Sequence, residues 1–507
     1  MTQTPSLTPP TILRHPPSDI VDGRAVHLSG DAIESRDPAD PTRSVWRGSP
    51  RREGIDEAVA AAREALPYWS KLPIAERIEI LRRWQEVTRD NVERVASMIT
   101  SEMGKTLAES RFEAKALAEK VDITLDQISL SRVTDYELKA SPTRLARCVF
   151  RPHGVMAVIG PFNFPAHLPN GHFIPALLTG NTVVLKPSER TPGTGQLLGE
   201  LALEAGFPRG ILNVVQGTGA EAARLVSHDD IDGILFTGSW NVGRRILEAN
   251  LDRPGRIVAL EMGGNNPAIV LPTADLRQAA VECVRSAFAT TGQRCTCTRR
   301  IIVHEAIAER FLALLGKVAS TLVIDDGRST APVFMGPIVS GEAAEAVLVE
   351  QRRLAEQGGR VLLESSRPDR RGHFVTPGIV EVDRFTIDDD EEVFGPLVRV
   401  SVVSSFDDAI AQASATRFGL AASLFSNDDK EWEEFFHRIR AGCVNRNTGT
   451  AGASGRLPFG GFGLSGNHRP AGSFSVDYCA APVASMVEQS DAAALPAGMN
   501  FEERWLD

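Results

Sequence analysis

Apolar residues recur three or four positions apart from Ile55 to about Ile128. The runs "IDEAVAAAREAL", "IAERIEILRRWQEVTRDNVERVASMITSEMG" and "ESRFEAKALAEKVDITLDQI" have the spacing of amphipathic helices, and Gly104 is placed to stop one of them. Between 132 and 151 the pattern changes to "RVTDYELKASPTRLARCVFR", two short strand-like runs around a Ser-Pro turn. Such a ribbon has little to bury by itself and suits pairing with another subunit. Beyond it, "VMAVIG", "TVVLKP", "ILNVVQG", "GILFTGS" and "RIVALEMGG" are continuously apolar, as strands covered on both faces are. Helical segments such as "TGQLLGELALEAG" and "WNVGRRILEAN" separate several of them. This repeated βαβ signature predicts an α/β fold with a doubly wound, Rossmann-type nucleotide-binding sheet. A second α/β region runs from about 265 to 440, with "NPAIVL", "RIIVHE", "RRLAEQGGRVLL" and "DDAIAQASA" as its clearest pieces.

The two ends lack such periodicity. Residues 1–25 are Pro-rich and polar and are expected to form a mobile arm, and the tail 489–507 is too irregular to assign. At 507 residues the chain exceeds what one hydrophobic core usually supports, so two or three structural units are expected. Asp plus Glu outnumber Lys plus Arg by 65 to 55, leaving no basic surplus for nucleic acid. The prolines near the N-terminus interrupt any signal-peptide core, and no apolar run is long enough to span a membrane. A cytoplasmic location is expected by default. The six cysteines are too few and too irregularly spaced for a secreted disulfide framework. Cys295 and Cys297 are one residue apart, unlike zinc-ligand pairs, so no metal is expected.

Five stretches carry candidate chemistry. In "ATTGQRCTCTRR", Cys295 follows a helix-like segment in a polar, glycine-containing run. In "LEMGGNNP", Glu261 ends an apolar strand, where a carboxylate beside two glycines can accept a proton at a site mouth. In "GPFNFPAHLPNGH", Asn163 lies in a turn after a strand, where an amide can donate to an oxyanion or close an Asx turn. "LKPSE" sets Lys186 and Glu189 past another strand end, and "FTGSWNVGRR" turns a strand into a helix at Phe236, Gly238, Ser239 and Gly243, a geometry suited to pyrophosphate. A GxGxxG fingerprint is absent from it.

Taken together with "EEVFGP" (391–396) and "PFGGFGLSG" (458–466), these motifs stand in the order and spacing of the NAD(P)-dependent aldehyde dehydrogenases, which the chain resembles from about residue 27 to 488. "NFPAHLPNGHFIPALLTGNTVVLKPSE", "LEMGGNNP", "GQRCTCTRR" and "GNHRPAGSFSVDYCAAPVAS" resemble in particular the branch acting on N-succinylglutamate 5-semialdehyde in arginine catabolism. The resemblance implies a nucleotide-binding domain from 26–131 and 152–261, a catalytic domain from 262–466 and an oligomerisation ribbon from 132–151 and 474–488. It implies Cys295 as nucleophile, Glu261 as the base that activates water, and Asn163 with the Cys295 N–H as oxyanion donors. NAD would be held by Lys186 and Glu189 at the adenosine ribose, by Ser239 within the 236–243 turn at the pyrophosphate, and by Glu392 and Phe394 at the nicotinamide ribose. Cys297 has no role in this scheme.

The expected substrate is a small aldehyde bearing carboxylates, for which Arg294, Arg446 and Arg469 are the candidate partners. The branch has an aromatic residue where Arg446 stands. A homo-oligomer is expected. Other aldehyde substrates remain open, as does a cysteine hydrolase using His167 or His172 as base, and a binding protein that keeps the fold without the chemistry.

Overall fold

The computed structural model describes residues 12–491 and 495–507. The five apolar runs of the first region form a parallel sheet, because each is buried on both faces. Met156, Val158, Val183 and Leu185 point into one core, and Val155, Ala157, Ile159 and Val184 into the other. Across this sheet the strands run Ile257–Glu261, Gly233–Thr237, Val155–Ile159, Thr182–Lys186 and Leu212–Val214, followed by Ser18–Val21 and Arg24–His27. The strand order therefore reverses at Val155–Ile159, which has Thr182–Lys186 on one side and Gly233–Thr237 on the other. In an open parallel sheet the crevice past such a switch point is where ligands bind.

The second sheet has the order Arg360–Leu363, Gly378–Glu381, Leu397–Val403, Thr298–His304, Asn266–Val270, Ala421–Phe425 and Cys443–Arg446, parallel except for its first pair. It too is buried on alternating faces, with Ala268, Val270, Ile301 and Val303 on one side and Ile269, Leu271 and Ile302 on the other. Residues 262–265 alone separate the last strand of the first sheet from Asn266–Val270, the earliest strand of the second. The C-terminal end of one sheet is thereby held against the N-terminal end of the other.

The helices Gly54–Lys71, Ile74–Asp90, Val92–Met103 and Leu107–Thr124 lie where periodicity predicts them. Gly104 ends the third in the left-handed conformation, at φ 80°. Tyr136–Lys139, Arg144–Pro152 and Ala480–Glu488 form a separate three-stranded antiparallel ribbon. Its last strand begins at Ala480 and not near 474, because Tyr478 and Cys479 are buried in the core of the first sheet. No helix among the described residues is long and apolar enough to cross a membrane.

The expected mobile arm needs correction. Residues 1–11 lie outside the described part, but Ser18–Val21 and Arg24–His27 form a hairpin that extends the first sheet antiparallel to Leu212–Val214. Only Ile20 and Val21 enter the two cores, too few for hydrophobic patterning to register, and the rest of its hold is polar. Gln196 Oε1 accepts from Ser18 N (3.0 Å) and Trp46 Nε1 (2.8 Å), while its Nε2 donates to His15 O and Pro16 O. Glu200 accepts from Arg14 N and His15 N. Replacing Gln196 by Leu takes this partner from Ser18 N, Trp46 Nε1 and His15 O, at a cost on the order of 1–3 kcal/mol for each buried group left unpaired. The expected result is a lower unfolding temperature with faster amide exchange over residues 12–28. Unchanged exchange there would show that the strand ladder alone secures the hairpin.

Candidate active site

At the end of Ile257–Glu261 the chain must pass close to other backbone, and glycines permit it. A Cβ on Gly263 would lie 1.8 Å from Glu392 Oε2, and one on Gly264 would lie 2.8 Å from Cys295 O. A Cβ on Gly460 would come within 2.9 Å of Glu261 Oε1. The segment carrying Gly460 runs along this edge of the first sheet. Ser465 O accepts from Met262 N, and Asn467 bonds the backbone of Leu260 and Val258. Glu261 is thus buried between strand and glycine loop. Its Oε2 has no hydrogen-bond partner, and burial pushes its carboxyl well above the usual value, with one N–H from Ala471 drawing it back.

Cys295 reaches the same place from the other sheet. Helix Leu276–Phe288 ends in a turn where Thr290, Thr291 and Gly292 all take positive φ, at 54°, 55° and 71°. Cys295 then lies just ahead of strand Thr298–His304, and its thiol is partly buried. Asn266 Nδ2 donates to Cys295 O (2.7 Å) and Cys297 O (2.8 Å), fixing this loop to the start of the neighbouring strand. Asn163, in the loop past Val155–Ile159, donates through Nδ2 to Gln293 O at 3.0 Å. An amide carries two N–H groups, so one is left for a ligand. Burial first, then Glu392, Glu261, Cys297 and Cys443, push the Cys295 thiol up from its ordinary value.

Of the expected cofactor residues, Lys186 ends Thr182–Lys186 and Ser239 follows Gly233–Thr237, the two strands that flank Val155–Ile159. Lys186 is buried at its strand end and meets the half-exposed Glu189 at 3.3 Å; burial lowers its pKa and Glu189 raises it again. Ser239 caps helix Trp240–Glu248 without a side-chain bond to it. Gly238 and Gly243 let this turn close on Phe236 and Met262, since a Cβ on either would approach those side chains to 2.4 Å. Glu392 has a buried Oε1 without a hydrogen bond, 3.9 Å from Arg299 Nη2, and burial lifts its carboxyl to about 7 despite Arg299 and the Gly264 N–H. Phe394 meets Phe162 edge-on at 5.8 Å. The uncommitted Ser239 hydroxyl and the Lys186 ammonium can donate to an anionic or hydroxyl-bearing ligand, and Glu392 Oε1 can accept from a ligand hydroxyl.

The three arginines do not converge. Arg294 is bound to Glu109 (3.0 Å) and Thr290 Oγ1 (2.8 Å). Arg446 is spent on Ser426 O and Asp429. Arg469 is exposed, and its Nη1 donates to the neighbouring His468 O. Neither histidine is poised as a base for Cys295. His172 is held between Tyr478 (3.0 Å) and Thr237 (3.1 Å), and burial takes its pKa down to about 3; His167 falls to about 4 for the same reason. Cys297 is buried, with its Sγ 3.8 Å from Ala289 O. The patterns passed over Asn266 and Arg299, polar residues at strand starts whose only signal is their place at the head of an apolar run.

The aldehyde dehydrogenase family model matches residues 26–482. The N-succinylglutamate 5-semialdehyde dehydrogenase of Novosphingobium aromaticivorans is 42% identical over 470 residues, covering 93% of this chain and 99% of that protein. N-succinylglutamate 5-semialdehyde dehydrogenase 2 of Caulobacter vibrioides is 45% identical over 472 residues, covering 92% of this chain and 95% of that one. The crystal structure of an NAD-dependent aldehyde dehydrogenase from Sinorhizobium meliloti superposes with a TM-score of 0.89 at 30% identity, over 96% of this chain and 97% of that one.

The electrostatics of the thiol give a direct check. Alkylation of Cys295 by iodoacetamide, followed by peptide mass spectrometry, is expected to accelerate with pH beyond the ordinary thiol value of 9.0. A plateau below that value would mean that something in the site stabilises the thiolate.

Proposed function

Because the chain belongs to the aldehyde dehydrogenase family, we propose that it oxidises N-succinylglutamate 5-semialdehyde to N-succinylglutamate with NAD as acceptor. Relatives bearing that activity in their names, at 42% and 45% identity over nearly their whole length, support this substrate over other aldehydes. The observation that carries the chemistry is the meeting of Cys295, Glu261 and Asn163 where the two sheets abut.

In this reading the Cys295 sulfur adds to the aldehyde carbon and forms a thiohemiacetal. The developing oxyanion takes the free N–H of Asn163 and the backbone N–H of Cys295; one lost donor costs about 3–4 kcal/mol of barrier. NAD, when bound, supplies the hydride acceptor through which the adduct becomes a thioester. Lys186 and Glu189, Ser239 with the 236–243 turn, and Glu392 with Phe394 would hold it. Glu261 then takes a proton from the water that hydrolyses the thioester. Its buried, unpartnered oxygen is free to face that water, and its raised pKa sets a base that is ionised only well above the usual carboxylate range.

Glu189 favours NAD over NADP, since its carboxylate would repel a further phosphate on the adenosine ribose. Among Arg294, Arg446 and Arg469, Arg469 is the one that shows no carboxylate partner among the described residues, and it is our choice for meeting a substrate carboxylate. The ribbon supports a homo-oligomer: it leaves Tyr136, Leu138 and Met486 exposed on a narrow sheet. We assign the enzyme to the cytoplasm.

NADH absorbance with a panel of aldehydes tests the assignment. N-succinylglutamate 5-semialdehyde should give the highest kcat/KM, NADP should serve poorly, and Cys295→Ala should be inactive. Faster turnover of an unrelated aldehyde would overturn the substrate and keep the chemistry. Glu261→Gln should release one burst of NADH per site and then turn over roughly 10²–10⁴-fold more slowly. The wild-type acidic limb should lie above the ordinary carboxylate value of 4.5, rate rising with pH as Glu261 ionises. Full turnover by Glu261→Gln would remove it as the base. Light scattering on the purified protein should give a mass above 54.8 kDa; a monomer would remove the role of the ribbon.

A further inference from the structure

Helix Leu107–Thr124 carries two carboxylates one turn apart, and each holds a different loop of the site. Glu109 Oε1 accepts from Thr290 N and Thr290 Oγ1, both at 2.8 Å, and from Arg294 Nη2 at 3.0 Å. Arg294 Nε closes the ring by donating to Thr290 Oγ1 at 2.8 Å. Glu113 is fully buried. Its Oε2 pairs with Lys105 Nζ at 2.6 Å, and its Oε1 accepts from Ala166 N (2.9 Å) and His167 N (3.1 Å). These last two N–H groups begin helix His167–Leu178, directly after the loop of Asn163. Lys105 Nζ in turn sits 3.3 Å above the Phe164 ring, next to Asn163 in sequence.

The arrangement meets a need that the backbone creates. Threonine is β-branched and disfavours positive φ, yet Thr290 and Thr291 both adopt it just before Cys295. Strained residues of this kind persist where surrounding contacts over-determine them, and Glu109 supplies acceptors to both the backbone and the side chain of Thr290. The same helix, through Glu113 and Lys105, fixes where the Asn163 loop enters its own helix. The direct link between the two loops, Asn163 to Gln293 O, then joins parts already aligned.

We infer that Glu109 and Glu113 are positioning residues: together they form a strut that sets Asn163 against Cys295, with Arg294 as a member of the strut and not a ligand for a substrate carboxylate. This rests on the reading of Cys295 and Asn163 given above. Displacement of an oxyanion donor by about 1 Å costs on the order of 10²-fold in rate, so the effect falls on kcat, whatever the aldehyde.

The test compares Glu109→Ala, Glu109→Gln and Thr290→Val with wild type. Each is assayed on N-succinylglutamate 5-semialdehyde and on a neutral short-chain aldehyde, with NAD binding by calorimetry and thermal melting alongside. Glu109→Ala should lower kcat roughly 10–100-fold on both aldehydes, with KM and NAD affinity near wild type. Glu109→Gln should recover most of the loss, because an amide oxygen still accepts from Thr290. Thr290→Val keeps the shape and removes the shared hydroxyl, so it should reduce kcat in the same sense even where Glu109→Ala folds poorly. A rise in KM confined to the anionic aldehyde would return Arg294 to the substrate and overturn the strut. Normal kcat in all three folded variants would overturn it too. If Cys295→Ala stayed active, the catalytic reading beneath would fail instead.

Discussion

Asn266 gives its two N–H groups to the carbonyls of Cys295 and Cys297 and its oxygen to the N–H of Ala421, so one buried amide binds the thiol loop to two strands of the second sheet. All four hydrogen-bonding positions of a primary amide are rarely filled, and here three are. Because only residues 262–265 separate Asn266 from Glu261, holding the amide also limits where that carboxyl can stand. The glycines between them are a condition of the arrangement. Any side chain on Gly264 would strike Asn266 or Cys295 O before the loop could close. Thiol, carboxyl and sheet register are therefore consequences of a single anchoring point.

Charge is expensive at this point of contact. Glu261, Glu392 and Cys295 are all shifted toward their neutral forms by burial, and the nearest guanidinium, that of Arg299, stays 3.9 Å from Glu392. A site built this way stores reactivity in groups that ionise reluctantly and react strongly once they do. Elsewhere the chain handles buried charge differently. Glu102 receives Gly193 N, Thr194 N and Thr194 Oγ1, and Lys105 has Glu113. Glu261 Oε2 has no such partner, which sets this carboxyl apart from Glu102 and Glu113.

Much of this is legible in the sequence, and the boundaries of legibility are physical. Strands covered on both faces read as unbroken apolar runs, so both sheets show through, and the glycines after Glu261 mark a tight passage. Asn163, Glu261 and Cys295 can be picked out because each stands just beyond or just before such a run. Ser18–Val21 hides behind prolines, for beside the short apolar pair Ile20 and Val21 what secures this segment is Gln196 and Glu200, residues far away in sequence whose role no local pattern announces. Glu109 and Glu113 are equally silent. A glutamate three or four residues from the next on an amphipathic helix reads as a solvated face, and only the fold reveals that this face looks inward. Arg294 and Arg446 mislead for the opposite reason: a charge near a motif is easy to notice, while its actual partner, Glu109 or Asp429, is not.

The ribbon has a bearing on how the molecule is made. Its middle strand, Arg144–Pro152, is flanked on one side by Tyr136–Lys139, a neighbour synthesised moments earlier, and on the other by Ala480–Glu488, with Arg144 and Glu488 344 residues apart. During translation the first pair is a bare two-stranded hairpin, which is marginal in water. The third strand leaves the ribosome only after every strand of the two seven-stranded sheets. The ribbon is thus completed after both large sheets, and a chain cut short before Ala480 lacks its third strand.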